Sequence, residues 1–124
     1  MSLPVARAYV SLLRLEPFLV RGNFAGLYDR VRRQRTRAHR DAKFTMEQLC
    51  HAVDLACIWY WKQVLCLQRS AAAVSLLRHY GVEAQLVIGA QLKPFQAHAW
   101  VEVNGRVVND NSYTNELYAV LDRC

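Results

Sequence analysis

Ala97-His98-Ala99-Trp100-Val101-Glu102-Val103-Asn104-Gly105-Arg106 is the stretch on which the fold turns. Successive side chains of a strand point to opposite faces. Here Ala97, Ala99, Val101 and Val103 share one face, while His98, Trp100 and Glu102 share the other. Asn104-Gly105 is a strong hairpin signal, because both residue types accept the positive φ of a tight turn. Arg106 to Asp110 is then the return strand. Upstream, Ala84 to Leu92 reads as another strand, with Lys93-Pro94-Phe95 as the turn between the two. The second half of the chain is therefore an antiparallel sheet.

Toward the N-terminus the apolar period lengthens from 2 to 3.6. A helix is predicted from Cys66 or Leu67 to Tyr80, closed by Gly81 in a left-handed position. Lys62 to Leu65 is a short connection. Thr45-Met46-Glu47-Gln48 fits a capping box. Leu49, Ala52, Val53, Ala56 and Tyr60 form the core stripe of the helix behind it, which ends near Trp59-Tyr60-Trp61. Residues 5–15 also have helical spacing, and Pro17 is expected to end or bend that helix. A polar, basic helix is expected over residues 27–40, with a thin apolar face of Leu27, Tyr28 and Val31. Helices followed by strands give an α+β fold. Residues 1–44 form an N-terminal helical, basic segment and residues 45–124 the core, within one compact domain overall.

A chain of 124 residues with 53% hydrophobic and 21% charged residues is globular rather than disordered. It is too short for two large domains. The net charge of +6 is localised. Arg30, Arg32, Arg33, Arg35, Arg37, Arg40 and Lys43 face a single acid, Asp41, within residues 30–43, and the remaining basic and acidic residues cancel. The longest apolar runs, Ala56–Trp61 and Ala71–Val74, fall far short of the roughly 18 residues of a membrane span. Arg7, Arg14 and Glu16 interrupt any signal-peptide core. Cys50, Cys57, Cys66 and Cys124 then read as reduced thiols of a cytoplasmic protein. Cys50, Asp54 and Cys57 share a helical face, but that face also carries Val53 and borders Ala56, so it reads as core. No metal and no cofactor is expected.

Three residues carry chemistry. Cys66 sits at the predicted start of a helix, His98 on a half-buried strand and Asp110 near the end of the next strand. A thiolate nucleophile needs a base to take its proton and a third group to orient that base. A helix N-terminus adds positive potential and free N–H groups for an oxyanion. The hairpin register tests the pairing. A two-residue Asn104-Gly105 loop puts Asp110 opposite Ala99. A three-residue Val103–Gly105 loop with a bulge pairs Glu102 with Arg106 and sets Asp110 opposite His98, and this second register is the one expected. Each residue also has a bland reading: Cys66 as core, His98 as a structural histidine, Asp110 as a turn residue beside Asn109, Asn111 and Ser112.

Cys66-Leu67-Gln68-Arg69-Ser70, Leu76-Leu77-Arg78-His79-Tyr80-Gly81, Leu86-Val87-Ile88-Gly89, Pro94-Phe95-Gln96-Ala97-His98-Ala99-Trp100-Val101-Glu102 and Val108-Asn109-Asp110 together resemble the transglutaminase-like leader peptidases of lasso-peptide biosynthesis. The resemblance covers residues 45–121. It implies a papain-like cysteine peptidase fold with Cys66 as nucleophile, His98 as general base and acid, and Asp110 as its orienter. It implies removal of the leader from a ribosomally made precursor, a separate small leader-recognition protein as partner, and an ATP-dependent cyclase that uses the freed amine. Residues 1–44 are too short and too helical for the leader-recognition domain of some relatives, so the split form is expected. The family's proline before Arg-Ser is Gln68 here. The Cys66 N–H is the first oxyanion donor, with Gln63, Trp59 or Trp61 open as the second. Arg69 and Ser70 are expected to brace the site, and Trp100 is either wall or core.

Two other classes compete. The arginine run suits a nucleic-acid-binding protein, although it lacks interleaved aromatics. A transglutaminase-like acyltransferase or amidase would use the same three residues. Localised upstream of the Thr45-capped helix, the basic run is expected to dock an acidic leader or the leader-binding partner.

Overall fold

The computed structural model describes residues 2–92, 95–110 and 114–124. Helix α1 spans Leu3–Val20 and starts where the Ser2 hydroxyl accepts from the Val5 N–H, with Pro4 in the first turn. Helix α2, Phe24–Arg33, is capped by Asn23, whose side-chain oxygen accepts from the Gly26 N–H at 3.0 Å. Helix α3, Met46–Trp59, opens with the predicted capping box: Thr45 accepts from the Gln48 N–H, and Gln48 accepts from the Thr45 N–H. Helix α4 runs Cys66–His79, and Gly81 follows it at φ +84.

Strands β1 (Gln85–Leu92), β2 (Phe95–Val103) and β3 (Arg106–Val107), a short helix α5 (Thr114–Leu117) and strand β4 (Ala119–Arg123) complete the chain. The strand order is β3-β2-β1-β4, and all three pairings are antiparallel. This is the α+β architecture read from the sequence. Helix α4 is the centre of the molecule. Its Ala71, Ala72, Ala73, Val74, Leu76 and Leu77 are all buried, as are Gln68, Ser70 and Arg78, so it is covered nearly all round. One side packs on β2 and the others on α1 and α3. Leu12, Leu27, Leu49, Leu76, Leu77 and Leu86 are fully buried in this core, each contributing about 1.5–3 kcal/mol of apolar burial.

Four expectations are corrected. The hairpin uses the two-residue turn, pairing Val103 with Arg106 and Glu102 with Val107, and its return strand ends at Val107 instead of running to Asp110. Asn104 and Gly105 both have positive φ, 53° and 77°, the geometry that matches strand twist without a bulge. Helix α1 continues through Pro17 to Val20, so the proline does not end it. The missing proline N–H costs one helical bond, but tertiary bonds pin this turn: Tyr60 Oη and Gln68 Nε2 both donate to the Leu12 carbonyl and to Glu16. Helix α2 stops at Arg33 instead of residue 40, because residues 34–44 form an extended strap over the end of α4. Its Arg37 and Asp41 N–H groups donate to the carbonyls of Arg78 and Tyr80, each at 3.0 Å. Phe95, expected in a turn, begins β2; Lys93 and Pro94 of that turn lie outside the described residues.

The buried Arg78 staples these parts together. Its guanidinium donates to the carbonyls of Val31, Gln34, Ala84 and Cys124, uniting α2, the strap, the approach to β1 and the end of β4.

Candidate active site

Helix α4 begins at Cys66 because Leu65 is still extended, at φ −83° and ψ 164°. Leucine offers no side-chain acceptor, and the first helical bond runs from the Arg69 N–H to the Leu65 carbonyl at 3.0 Å. The N–H groups of Cys66, Leu67 and Gln68 precede that bond and have no cap. An uncapped N-terminus is a ready site for negative charge. Leu65, Trp61 and Trp59, all exposed, flank the start of the helix.

His98 projects from β2, opposite Gly89 of β1. Its ring stacks on Tyr118 at 5.2 Å and on Trp100 at 6.0 Å. His98 Nε2 lies 2.5 Å from Asp110 Oδ2, and both side chains are four-fifths buried. With Nε2 committed to a carboxylate, Nδ1 is the ring nitrogen left for a second proton partner. The structure thus brings His98 and Asp110 together. The Cys66 thiol makes no hydrogen bond to either among the described residues.

How Asp110 reaches His98 differs from the expected bulge. Val108 N–H still donates to the Val101 carbonyl at 3.0 Å, in two-residue register. The next acceptor is not backbone: Asn109 Oδ1 takes the Val101 N–H at 2.8 Å. The side-chain amide replaces a ladder carbonyl, so the chain leaves the sheet one residue early and Asp110 swings to His98 rather than Ala99. Asn109 Nδ2 donates to Ser70 Oγ at 3.0 Å, Ser70 Oγ donates to the Ala99 carbonyl at 3.1 Å, and Arg69 donates to the Asn109 carbonyl at 3.3 Å. Arg69 and Ser70 therefore brace the Asp110 segment against α4 and β2.

Trp100 is fully buried, and its indole N–H donates to Glu102 Oε2 at 2.9 Å. It is both core and platform for the His98 ring. Gly89 leaves room for it: a Cβ there would lie 2.5 Å from the Trp100 ring and 3.0 Å from Tyr118 Cβ. Gly89→Ala is expected to push Trp100 out of place at a cost of about 1–3 kcal/mol, seen as a lower Tm and a shifted tryptophan emission. Gln68, where the resemblance has proline, is buried and donates to the Leu12 carbonyl at 3.0 Å, a bond proline has no group to make. Gln63, Trp59 and Trp61 all sit in or beside the connection to Cys66, with both indoles exposed.

Tyr118 and Asn109 were not singled out from sequence. Tyr118 carries no pattern, because α5 and β4 are brief and β4 is mostly exposed. Asn109 looked like an ordinary turn residue. The other thiols have a different environment. Burial pushes Cys50 up to about 11, helped by Asp54 and Glu47. Burial also takes Cys57 to about 11, against the opposing charge of Arg69. Among the described residues no group of three His, Cys, Asp or Glu side chains is placed to hold a metal ion, and no helix is long and apolar enough to cross a membrane.

The family described as transglutaminase-like superfamily has a model that matches residues 9–123. The microcin J25-processing protein McjB of Escherichia coli is 47% identical over 45 residues, which cover 36% of this chain and 22% of that protein. The chain thus spans about a fifth of the curated relative it matches. No solved structure is matched.

Proposed function

Because the chain belongs to the transglutaminase-like superfamily, we propose that it is a cysteine peptidase that removes the leader from a ribosomally made lasso-peptide precursor. The observation that carries this reading is the 2.5 Å His98–Asp110 bond on the sheet, together with Cys66 at the uncapped start of α4. The likeness to a microcin-processing protein supports the substrate class. The four unpaired cysteines support a reducing, cytoplasmic setting.

In this mechanism His98 takes the Cys66 proton and the thiolate attacks the last leader carbonyl. The resulting oxyanion is held by the Cys66 N–H and the α4 dipole. Collapse breaks the C–N bond, and His98 returns the proton to the core's leaving amine. Water, deprotonated by His98, then attacks the thioester; the leader leaves as a carboxylic acid and the thiol is restored. Asp110 holds Nε2–H, so Nδ1 is the basic nitrogen throughout. The substrate is the precursor peptide. A separate leader-recognition protein and an ATP-dependent cyclase are the partners this reading brings with it.

Incubating the protein with a precursor and the leader-binding partner, then reading masses, tests the proposal. Two hydrolytic fragments support it. An amine adduct of the leader would mark an acyltransferase instead, and an unchanged precursor would overturn both. Asp110→Ala is expected to slow cleavage by roughly 10²–10⁴-fold while Cys66 remains alkylatable, because the ring loses its orientation and not the nucleophile.

A further inference from the structure

We propose that a basic trough between α1, α2 and α4 docks an acidic segment of a second protein. The inference goes beyond the catalytic reading and does not rest on it. Three hollows join to form the trough. The first, about 370 Å³, has buried Leu15, Val31 and Ala71 at its base and exposed Arg14 and Arg30 at its rim. It shares Ser11, Arg14, Gln34 and Ser75 with a second of about 390 Å³. That one shares Leu3, Arg7 and His79 with a third of about 300 Å³, where Arg37 and Lys43 of the strap enter.

Charge complementarity identifies the occupant. Arg7 and Arg14 are seven residues apart and so lie on one side of α1. The fold brings them to Arg30 and Arg37, which sequence alone had left in a separate basic run. None of these four forms an ion pair among the described residues, whereas Arg32 and Arg33 share Asp29. Among the described residues Asp41 is the one carboxylate lining the trough. The crowding of cations is felt by His79: burial first, then Arg37 and Arg7, hold its imidazole below the usual histidine range.

The apolar base suits peptide side chains. Nucleic acid would want stacking faces, and the two aromatics present, Phe44 and Tyr80, are packed edge-to-face against each other at 5.6 Å. From Leu3 to Leu15 the trough runs about 18 Å, room for about five or six extended residues.

Position separates this site from the scissile peptide. Ser75 follows Cys66 by nine residues, two and a half turns at about 3.6 residues per turn, so it points away from the thiol's side of α4. The thiol's side faces the sheet, where Ser70 reaches the Ala99 carbonyl. An occupant of the trough leaves the start of α4 uncovered, as a docking partner must.

The test is fluorescence anisotropy with a dye-labelled Glu-Leu repeat peptide. The intact protein is expected to bind it in a salt-sensitive way. Arg7→Glu/Arg14→Glu/Arg30→Glu, all at exposed positions, is expected to weaken binding at least about tenfold, and the milder glutamine triple variant to lie between. Iodoacetamide labelling of Cys66 is expected to be unchanged by the bound peptide. No binding, unaltered binding by both triple variants, protection of Cys66, or displacement by an oligonucleotide at equal or lower concentration would each overturn the proposal.

Discussion

Cys66→Ala is expected to abolish precursor cleavage, with a fall of about 10⁴-fold or more, the scale on which nucleophile removal acts in acyl-transfer triads. The side chain is only partly buried at the first position of α4, so the fold should tolerate the change within about 1 kcal/mol. Binding of the leader-bound partner should survive. A thiol label gives a second readout. In the intact protein, iodoacetamide near neutral pH is expected at Cys66. In the variant, the remaining thiols resist: burial pushes Cys124 up, and Cys50 and Cys57 sit at about 11. A thiol with that value is only about 10⁻⁴ ionised at pH 7. Cleavage retained by a folded Cys66→Ala protein would remove Cys66 from the mechanism.

Arg78→Ala should be the most damaging single change to stability. The side chain is 6% exposed and serves the carbonyls of Val31, Gln34, Ala84 and Cys124. Truncation removes the donors of four carbonyls at once and unties the elements they join, and the loss is expected to be about 3–5 kcal/mol. Domains of this size are stable by only about 5–15 kcal/mol, so much of the folded population is at stake. Arg78→Lys should rescue little, because a single ammonium cannot span a fork of donors aimed at four separated carbonyls. Urea unfolding of the two variants decides the matter. A midpoint close to that of the parent for Arg78→Ala would mean that the four carbonyls find water.

What could be read from sequence was local. The strand over residues 97–103, the Thr45–Gln48 box and Gly81 after α4 each depend on neighbours within one or two turns, and all three form, although burial does not alternate along the strand, since Ala99 to Glu102 are buried on both faces. Pro17 does not end α1, because the bonds that hold the helix together there come from Tyr60 and Gln68, distant in sequence. The register was misread for a different reason. Asn104-Gly105 obeyed its local preference, and the shift that delivers Asp110 to His98 comes instead from Asn109 bonding to Val101. Strand β4 escaped notice because only Val120 within it is even half-buried, and Leu121 bulges outward where the pairing with β1 slips. Cys66 and His98 were legible as residue types in helix-start and strand contexts, whereas Asp110 lies past the end of β3. The stack of His98 on Tyr118 was not, because no spacing announces it.

The Arg78 staple also sets a clock. Its bonds to Val31 and Cys124 join residues 47 and 46 positions away in opposite directions. Contacts over such separations form late and slow the search for the native state. On the ribosome, α1 to α4 can condense as their shared apolar faces emerge, but the guanidinium stays partly unserved until residue 124 is free of the exit tunnel. The helical half is therefore expected to gain protease resistance first, and the sheet bearing His98 last. In the proposed mechanism, a nascent chain would hold Cys66 for some time before it holds the His98 that is to activate it.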